Sequence, residues 1–202
     1  ELLPQEKKVL TIGLYGNTDF YHLKGIVEQL FANMNIKNTD FSPEKNHPAY
    51  HPGRCAKVSI GQTTIGYIGE IHPEVAENFE CPNRTYVAVL DINPMIDNSN
   101  MVKEYKGLPK YPAIVRDIAL VVNDEILVKD IEALIWKFGG KILEEIKLFD
   151  VYKGEQVPEG MKSVAYTLKF RSPDRTLIDD EVTKVMEKIL NELKTNLNAT
   201  LR

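Results

Sequence analysis

The last hundred residues alternate between strand-like and helix-like patterns in a regular order. Apolar runs and strict apolar–polar alternation predict strands at 118–122, 142–153, 162–171 and 199–201. Apolar residues at 3.6-residue spacing predict two amphipathic helices, one at 127–138 and one from a cap at Asp179 or Asp180 to 197. The resulting order, β-α-β-β-α-β, is that of a ferredoxin-like domain, in which both helices cover one face of the sheet.

The first hundred residues predict a different module. Strands are predicted at 9–15, 55–60, 64–71 and 85–92. A helix capped by Asp19 and a short helix that begins at Pro73 accompany them, and the polar, proline-rich segment 35–54 is predicted to be loop. Antiparallel strands with helices on one side make an α+β module.

Residues 93–112 have the composition of a linker. They mix Pro, Asn, Asp, Ser, Gly and Lys without a clear period. We therefore place the domain boundary near residue 103, with domains at 1–102 and 103–202.

Composition and charge narrow the possible functions. Hydrophobic residues make up 43% and charged residues 27% of the chain, as in an ordinary soluble protein, and two cysteines favour a reduced, cytoplasmic setting. We expect neither a signal peptide nor a membrane segment.

Residues 1–102 carry 8 basic and 12 acidic side chains, whereas residues 103–202 carry 17 of each. A neutral domain can still bind RNA through a few residues on one face, with a modest dependence on salt.

The alternation in strand 162–171 predicts such a face. Val164, Tyr166, Leu168 and Phe170 suit the helix-covered core, while the alternate positions point away from it. If the hairpin pairs symmetrically around its loop, residue 152 lies opposite 163 and residue 150 opposite 165. The predicted RNA-binding residues on this face are Asp150, Tyr152 and Ser163, with Lys169 and Arg171 further along.

Each of these residue types suits a different part of an RNA. An aromatic ring stacks on a base, a carboxylate accepts hydrogen bonds from a guanine edge, and cations hold phosphates. The same pattern also fits a solvated polar face with a cross-strand tyrosine, and the pattern by itself leaves both interpretations open.

The second domain contains four distinctive segments: YPAIVRDIAL at 111–120, LFDVYKG at 148–154, PEGMKS at 158–163 and FRSPDRTL at 170–177. Together they resemble the ferredoxin-fold anticodon-binding domain of bacterial-type phenylalanyl-tRNA synthetase β subunits. The resemblance implies that the domain embraces the anticodon stem-loop. It places a stacking aromatic at Tyr152, with Asp150 and Ser163 beside the first anticodon base, and adds Arg202 in the terminal motif.

Three upstream segments resemble the catalytic-like module of the same subunit: FYHLKG at 20–25, HPGRCA at 51–56 and IGYIGEIHPE at 65–74. The resemblance implies a class II synthetase-like antiparallel module and the C-terminal part of a longer β subunit. The implied partners are tRNA(Phe), the rest of β and the α subunit of a cytoplasmic α2β2 phenylalanine–tRNA ligase.

No catalytic motif is legible in the first domain. Ala56 stands where an Arg-x-Glu motif starting at Arg54 would have its glutamate, and the glycines at 61–69 lack a phosphate-loop sequence. We expect no cofactor in this fragment, with ATP and Mg²⁺ belonging to the whole synthetase. Four residues are considered as metal ligands: His47, His51, Cys55 and His72. His47 and His51 have the spacing of a helical metal pair, but the proline after each disfavours helix, so we expect no metal site. The rival hypothesis is a free-standing ferredoxin-like regulatory or protein-interaction domain.

Overall fold

The computed structural model describes residues 6–102, 105 and 107–202. The chain divides into two units, Glu1–Tyr105 and Lys106–Arg202. The boundary predicted near residue 103 lies outside the described residues. Each unit is described by itself below.

The first unit is built around a five-stranded antiparallel sheet. Its strands are β1 (Val9–Leu14), β2 (Thr39–Pro43), β3 (Tyr50–Ile60), β4 (Thr63–Ile71) and β5 (Tyr86–Asp91). Its helices are α1 (Phe20–Asn33), α2 (Pro73–Asn78) and α3 (Ile92–Asp97). The strand order is β1-β5-β4-β3-β2. The predicted antiparallel arrangement is confirmed.

Helix α1 covers one face of this sheet. Asp19 caps it as predicted, since the side chain accepts a hydrogen bond of 2.8 Å from the His22 amide. Leu23, Val27 and Phe31 follow at helical spacing and are buried against the strands. These residues form the core of the unit together with strand residues such as Val58 and Ile68.

Two sequence predictions for the first unit were wrong. Segment 35–54, predicted as loop, contains β2 and the start of β3. Strand β2 lies at the sheet edge and is polar with a terminal Pro43, so it lacks the alternation of a strand with a buried face. The predicted linker begins inside α3, whose Met95 is buried in the core.

The second unit has the predicted ferredoxin-like order. Its elements are β6 (Ile114–Asn123), α4 (Val128–Gly139), a 3-10 turn (Gly140–Ile142), β7 (Leu143–Tyr152), β8 (Met161–Phe170), α5 (Asp179–Leu197) and β9 (Thr200–Leu201). The sheet is antiparallel, with strand order β7-β8-β6-β9. The prediction of β-α-β-β-α-β is confirmed.

The helices of the second unit cover one face of its sheet. The four apolar residues predicted to face the core from β8 are fully buried, and they pack with residues of α4 and α5 such as Ile135 and Ile189. Within the described part of this unit, the other face of the sheet carries no helix. Among the described residues, no helix is both long and apolar enough to span a bilayer.

The start of α5 differs from the prediction. Asp179 and Asp180 are its first two residues, and the residue before the helix is Ile178. The carboxylate of Glu181 accepts a hydrogen bond of 3.2 Å from the Ile178 amide. The helix therefore begins with half of a capping box, supplied by its third residue rather than by an aspartate cap.

Candidate nucleic-acid interface

The register of β7 against β8 is the one predicted from the symmetry of the hairpin. Asp150 lies opposite Ala165, and Tyr152 lies opposite Ser163. Residues directly opposite each other in an antiparallel pair share a face of the sheet. Because the alternate residues of β8 fill the core, Asp150, Tyr152 and Ser163 lie together on the face away from the helices.

A β-bulge in β7 brings this arrangement about. The register shifts between Leu148 and Asp150, so that Phe149 is an extra residue. Before the bulge, Ile146 and Leu148 pack against the core. An uninterrupted ladder would send Asp150 and Tyr152 to that same side. The bulge was not predicted, because the residues around it give no signal of where the extra residue lies.

The Tyr152 ring is half-buried on the open face. Cζ of Arg202 lies 5.4 Å from the ring centroid, within cation–π distance. Arg202 is held by two further contacts: its amide donates to the Ala119 carbonyl at 3.0 Å, and Nη2 donates to Oε1 of Gln156 at 2.5 Å. The terminal arginine implied by the resemblance thus lies beside the proposed stacking residue.

Asp150 and Ser163 differ in how accessible they are. Asp150 is exposed, so its carboxylate can meet a base edge directly. Ser163 is only 3% exposed. Its neighbour on the same face, Ala165, is also buried. Both small residues beside Tyr152 and Asp150 therefore present little surface of their own to a ligand.

Lys169, near the end of β8, and Arg171, just after it, pair with acidic side chains. Nζ of Lys169 is 3.5 Å from the Glu144 carboxylate and 3.3 Å from that of Glu145. Nε of Arg171 donates to Glu144 at 2.9 Å, and Nη1 donates to the Tyr111 carbonyl. The Arg171 hydrogen bond holds the pKa of Glu144 below its usual value. These cations are thus largely neutralised within the domain, and their contact with phosphate stays a prediction.

A second charged cluster, which sequence reasoning missed, lies at the loop end of the same strands. Lys162 is buried and donates to the Asp124 carbonyl at 2.8 Å, and burial lowers its pKa. Nζ of Lys153 lies 2.5 Å from the Asp124 carboxylate. The cluster ties the end of β6 to the start of β8 and the end of β7. Its partners are far apart in sequence, so they become visible only once the strand pairing is known.

The histidines considered as metal ligands take other roles. The His47 ring packs against the rings of Tyr50 and Tyr67. Nδ1 of His51 accepts from the Gly53 amide, and Nδ1 of His72 accepts from an amide in the first turn of α2. Within the described ranges, no group of three or more His, Cys, Asp or Glu is placed to hold a metal ion.

Cys55, the fourth residue considered as a metal ligand, is buried, and its surroundings hold the thiol in its neutral form. Burial, together with the charge of Glu44, raises the thiol pKa to about 11. Because metal ions bind the thiolate form of cysteine, this raised pKa disfavours Cys55 as a metal ligand.

Fold and surface together define the second unit as a ferredoxin-like domain with an aromatic, a carboxylate and a cation on its helix-free face. This fold agrees with the comparison with known protein families. Residues 109–202 match the ferredoxin-fold anticodon binding domain, and residues 1–92 match the phenylalanyl-tRNA synthetase beta chain CLM domain.

Curated relatives match over the whole chain or nearly so. The chain is 50% identical over 202 residues to the phenylalanine–tRNA ligase beta subunit of Clostridium tetani, covering 100% of this chain and 26% of that protein. It is 44% identical over 200 residues to that of Clostridium acetobutylicum (99% and 25%) and 37% identical over 196 residues to that of Bacillus subtilis (97% and 24%). The chain belongs to the phenylalanine–tRNA ligase beta subunit family. It spans about a quarter of the length of these relatives.

Proposed function

We propose that this chain is a non-catalytic part of a phenylalanine–tRNA ligase and binds the anticodon arm of tRNA(Phe) through the open face of its second unit. One observation carries the proposal. Asp150, Tyr152, Ser163 and Arg202 come from three separate segments of the chain, and the strand pairing and side-chain contacts bring them to one face of the sheet. A solvated surface needs no such convergence of a ring, a carboxylate and a guanidinium.

Each residue has a role that follows from its position. The Tyr152 ring stacks on an unpaired base, an interaction worth ~1–3 kcal/mol on alanine substitution. Asp150, which is exposed, accepts hydrogen bonds from the edge of that base. Ser163 and Ala165 lie on the same face, and their small side chains leave room for a flat base beside the ring. Arg202 supplies the positive charge for a neighbouring phosphate.

The first unit is proposed to be a class II synthetase-like scaffold that joins the rest of β and the α subunit in a cytoplasmic α2β2 assembly. Its antiparallel sheet and its family match support this assignment. Arg54, considered above as a candidate for the ATP phosphate, instead donates to the buried Glu70 carboxylate at 2.8 Å. As the family resemblance implies, amino-acid activation, with its ATP and Mg²⁺, is assigned to the partner α subunit.

The test is the affinity of this chain for tRNA(Phe) and for a second tRNA with another anticodon. We expect Tyr152→Ala to weaken binding of tRNA(Phe) about 5- to 150-fold, which is the stacking energy expressed as a ratio. Asp150→Ala is expected to reduce the preference between the two tRNAs more than the total affinity. Tyr21→Ala is the matched control, because it removes an exposed tyrosine from the first unit.

Two outcomes would contradict the proposal. The first is equal affinity of the unmodified chain for both tRNAs. The second is unchanged affinity for tRNA(Phe) in Tyr152→Ala. Either result, together with binding of a protein partner at the open face, would favour the rival interaction domain.

A further inference from the structure

Gly154 lies two residues after Tyr152, directly under the end of its ring. A Cβ atom at position 154 would lie 2.5 Å from Oη of Tyr152, 2.8 Å from Cζ and 3.3 Å from Cε1. The first two distances are shorter than real Cβ contacts allow. The ring therefore leans along the chain into space that exists because residue 154 has no side chain.

The backbone at Gly154 does not itself require glycine. Its φ lies outside the left-handed range that L-residues avoid, in contrast to Gly160 in the same loop, at +76°. The atoms that a Cβ would meet belong to the far end of one rotatable side chain and not to the backbone. An alanine at this position would thus displace the ring and leave the chain path unchanged.

The turn that begins at Gly154 also holds the cation that lies beside the ring. The Val157 amide donates to the Gly154 carbonyl at 3.0 Å, and the buried Val157 side chain anchors the turn. Gln156, between them, holds the Arg202 guanidinium that lies over the ring. The turn 154–157 thus determines both the space under the ring end and the position of the cation beside it.

We propose that Gly154 is a positioning residue for RNA binding, which sets the orientation of the Tyr152 ring that stacks on a base. This inference rests on the proposed function, since it assigns Gly154 a role only through Tyr152. The requirement is geometric, because stacking needs the plane of the ring to be held in one orientation. A ring that is displaced by a Cβ atom at position 154 loses its alignment with the base. Any side chain larger than hydrogen has the same effect.

The experiment is a double-mutant cycle on tRNA(Phe) affinity with the whole chain. We expect Gly154→Ala to reproduce most of the loss caused by Tyr152→Ala, which is about 5- to 150-fold. In a chain that already carries Tyr152→Ala, adding Gly154→Ala should cause no further loss, because the displaced group is gone. Gly107→Ala is the control, since a Cβ there meets nothing within 4 Å and its φ is ordinary.

The outcomes separate this inference from the proposed function. If Tyr152→Ala weakens binding but Gly154→Ala does not, Gly154 has no positioning role and the anticodon assignment stands. If Gly154→Ala weakens binding equally with and without the Tyr152 ring, it acts on the loop and the inference is wrong. If Tyr152→Ala itself has no effect on binding, the anticodon assignment is wrong, and the role of Gly154 that depends on it is wrong as well. Thermal unfolding of each variant distinguishes lost binding from a lost fold.

Discussion

Replacing Arg202 with glutamine tests whether the guanidinium over Tyr152 serves RNA or competes with it. Arg202 is exposed, with its Cζ 5.4 Å from the Tyr152 ring centroid. A cation–π contact at an exposed site is worth ~0.5–1 kcal/mol. A base that takes the same face of the ring must displace the guanidinium and forfeit that amount.

The displaced Arg202 guanidinium is expected to contact a phosphate of the RNA instead of the ring. For single-stranded RNA, each phosphate contact changes log K by ~0.7 per decade of salt, so one contact strengthens binding about fivefold between 1 M and 0.1 M salt. Loss of the ring contact offsets about two- to fivefold of this. Near 0.1 M the affinity should therefore change little, while the salt slope of Arg202→Gln should be smaller by ~0.7.

The measurement is the affinity for tRNA(Phe) over a range of salt concentrations. We expect the two titration lines to cross, with Arg202→Gln binding at least as tightly as the unmodified chain at high salt. Arg116→Gln is the matched control: it removes one guanidinium, but Arg116 lies on the helix side of β6 and pairs with Asp179. A salt slope that is the same with and without Arg202 would refute the phosphate contact.

Two further predictions concern stability. Arg54→Ala should destabilise the first unit by ~1–3 kcal/mol in denaturant unfolding, because it leaves the buried Glu70 carboxylate without its cation. Adding Glu70→Gln should recover part of that lost stability. If nothing is recovered, the loss does not come from an uncompensated charge on Glu70. Hydrogen bonds from Arg175 and from the backbone at 178 lower the pKa of Glu181 to about 2, so Glu181 stabilises the fold above its unfolded pKa near 4.5 and loses that effect as the pH falls towards 2. Glu181→Gln should thus be less stable than the unmodified chain at neutral pH and converge with it in acid; a difference that is the same at every pH would contradict this.

Much of the second unit could be predicted because its pattern repeats. The strict alternation of β8 identified its core face, and a symmetric hairpin gave the pairing of Tyr152 with Ser163. In the first unit the edge strand β2 could not be predicted, because Phe41 packs against the core from a five-residue strand that is too short and polar to show an alternation.

The candidate site was predicted less completely than the fold. The ion pairs of Lys169 and Arg171 depend on Glu144 and Glu145, which lie more than twenty residues away in sequence and meet them through an irregular register. The role of the turn after β7 depends on the direction in which the Tyr152 ring leans. Side-chain direction of that kind is set by packing rather than by residue spacing.

The extra residue in β7 has a consequence for how this strand tolerates changes in length. Because Leu148 lies opposite Tyr166 and Asp150 opposite Ala165, loss of Phe149 would leave an ordinary ladder with both neighbours on their present sides. Loss of a residue within either half would instead turn that half over, exposing core residues or burying those on the open face. Position 149 is thus a site where β7 can shorten during evolution while the core and the open face are both retained.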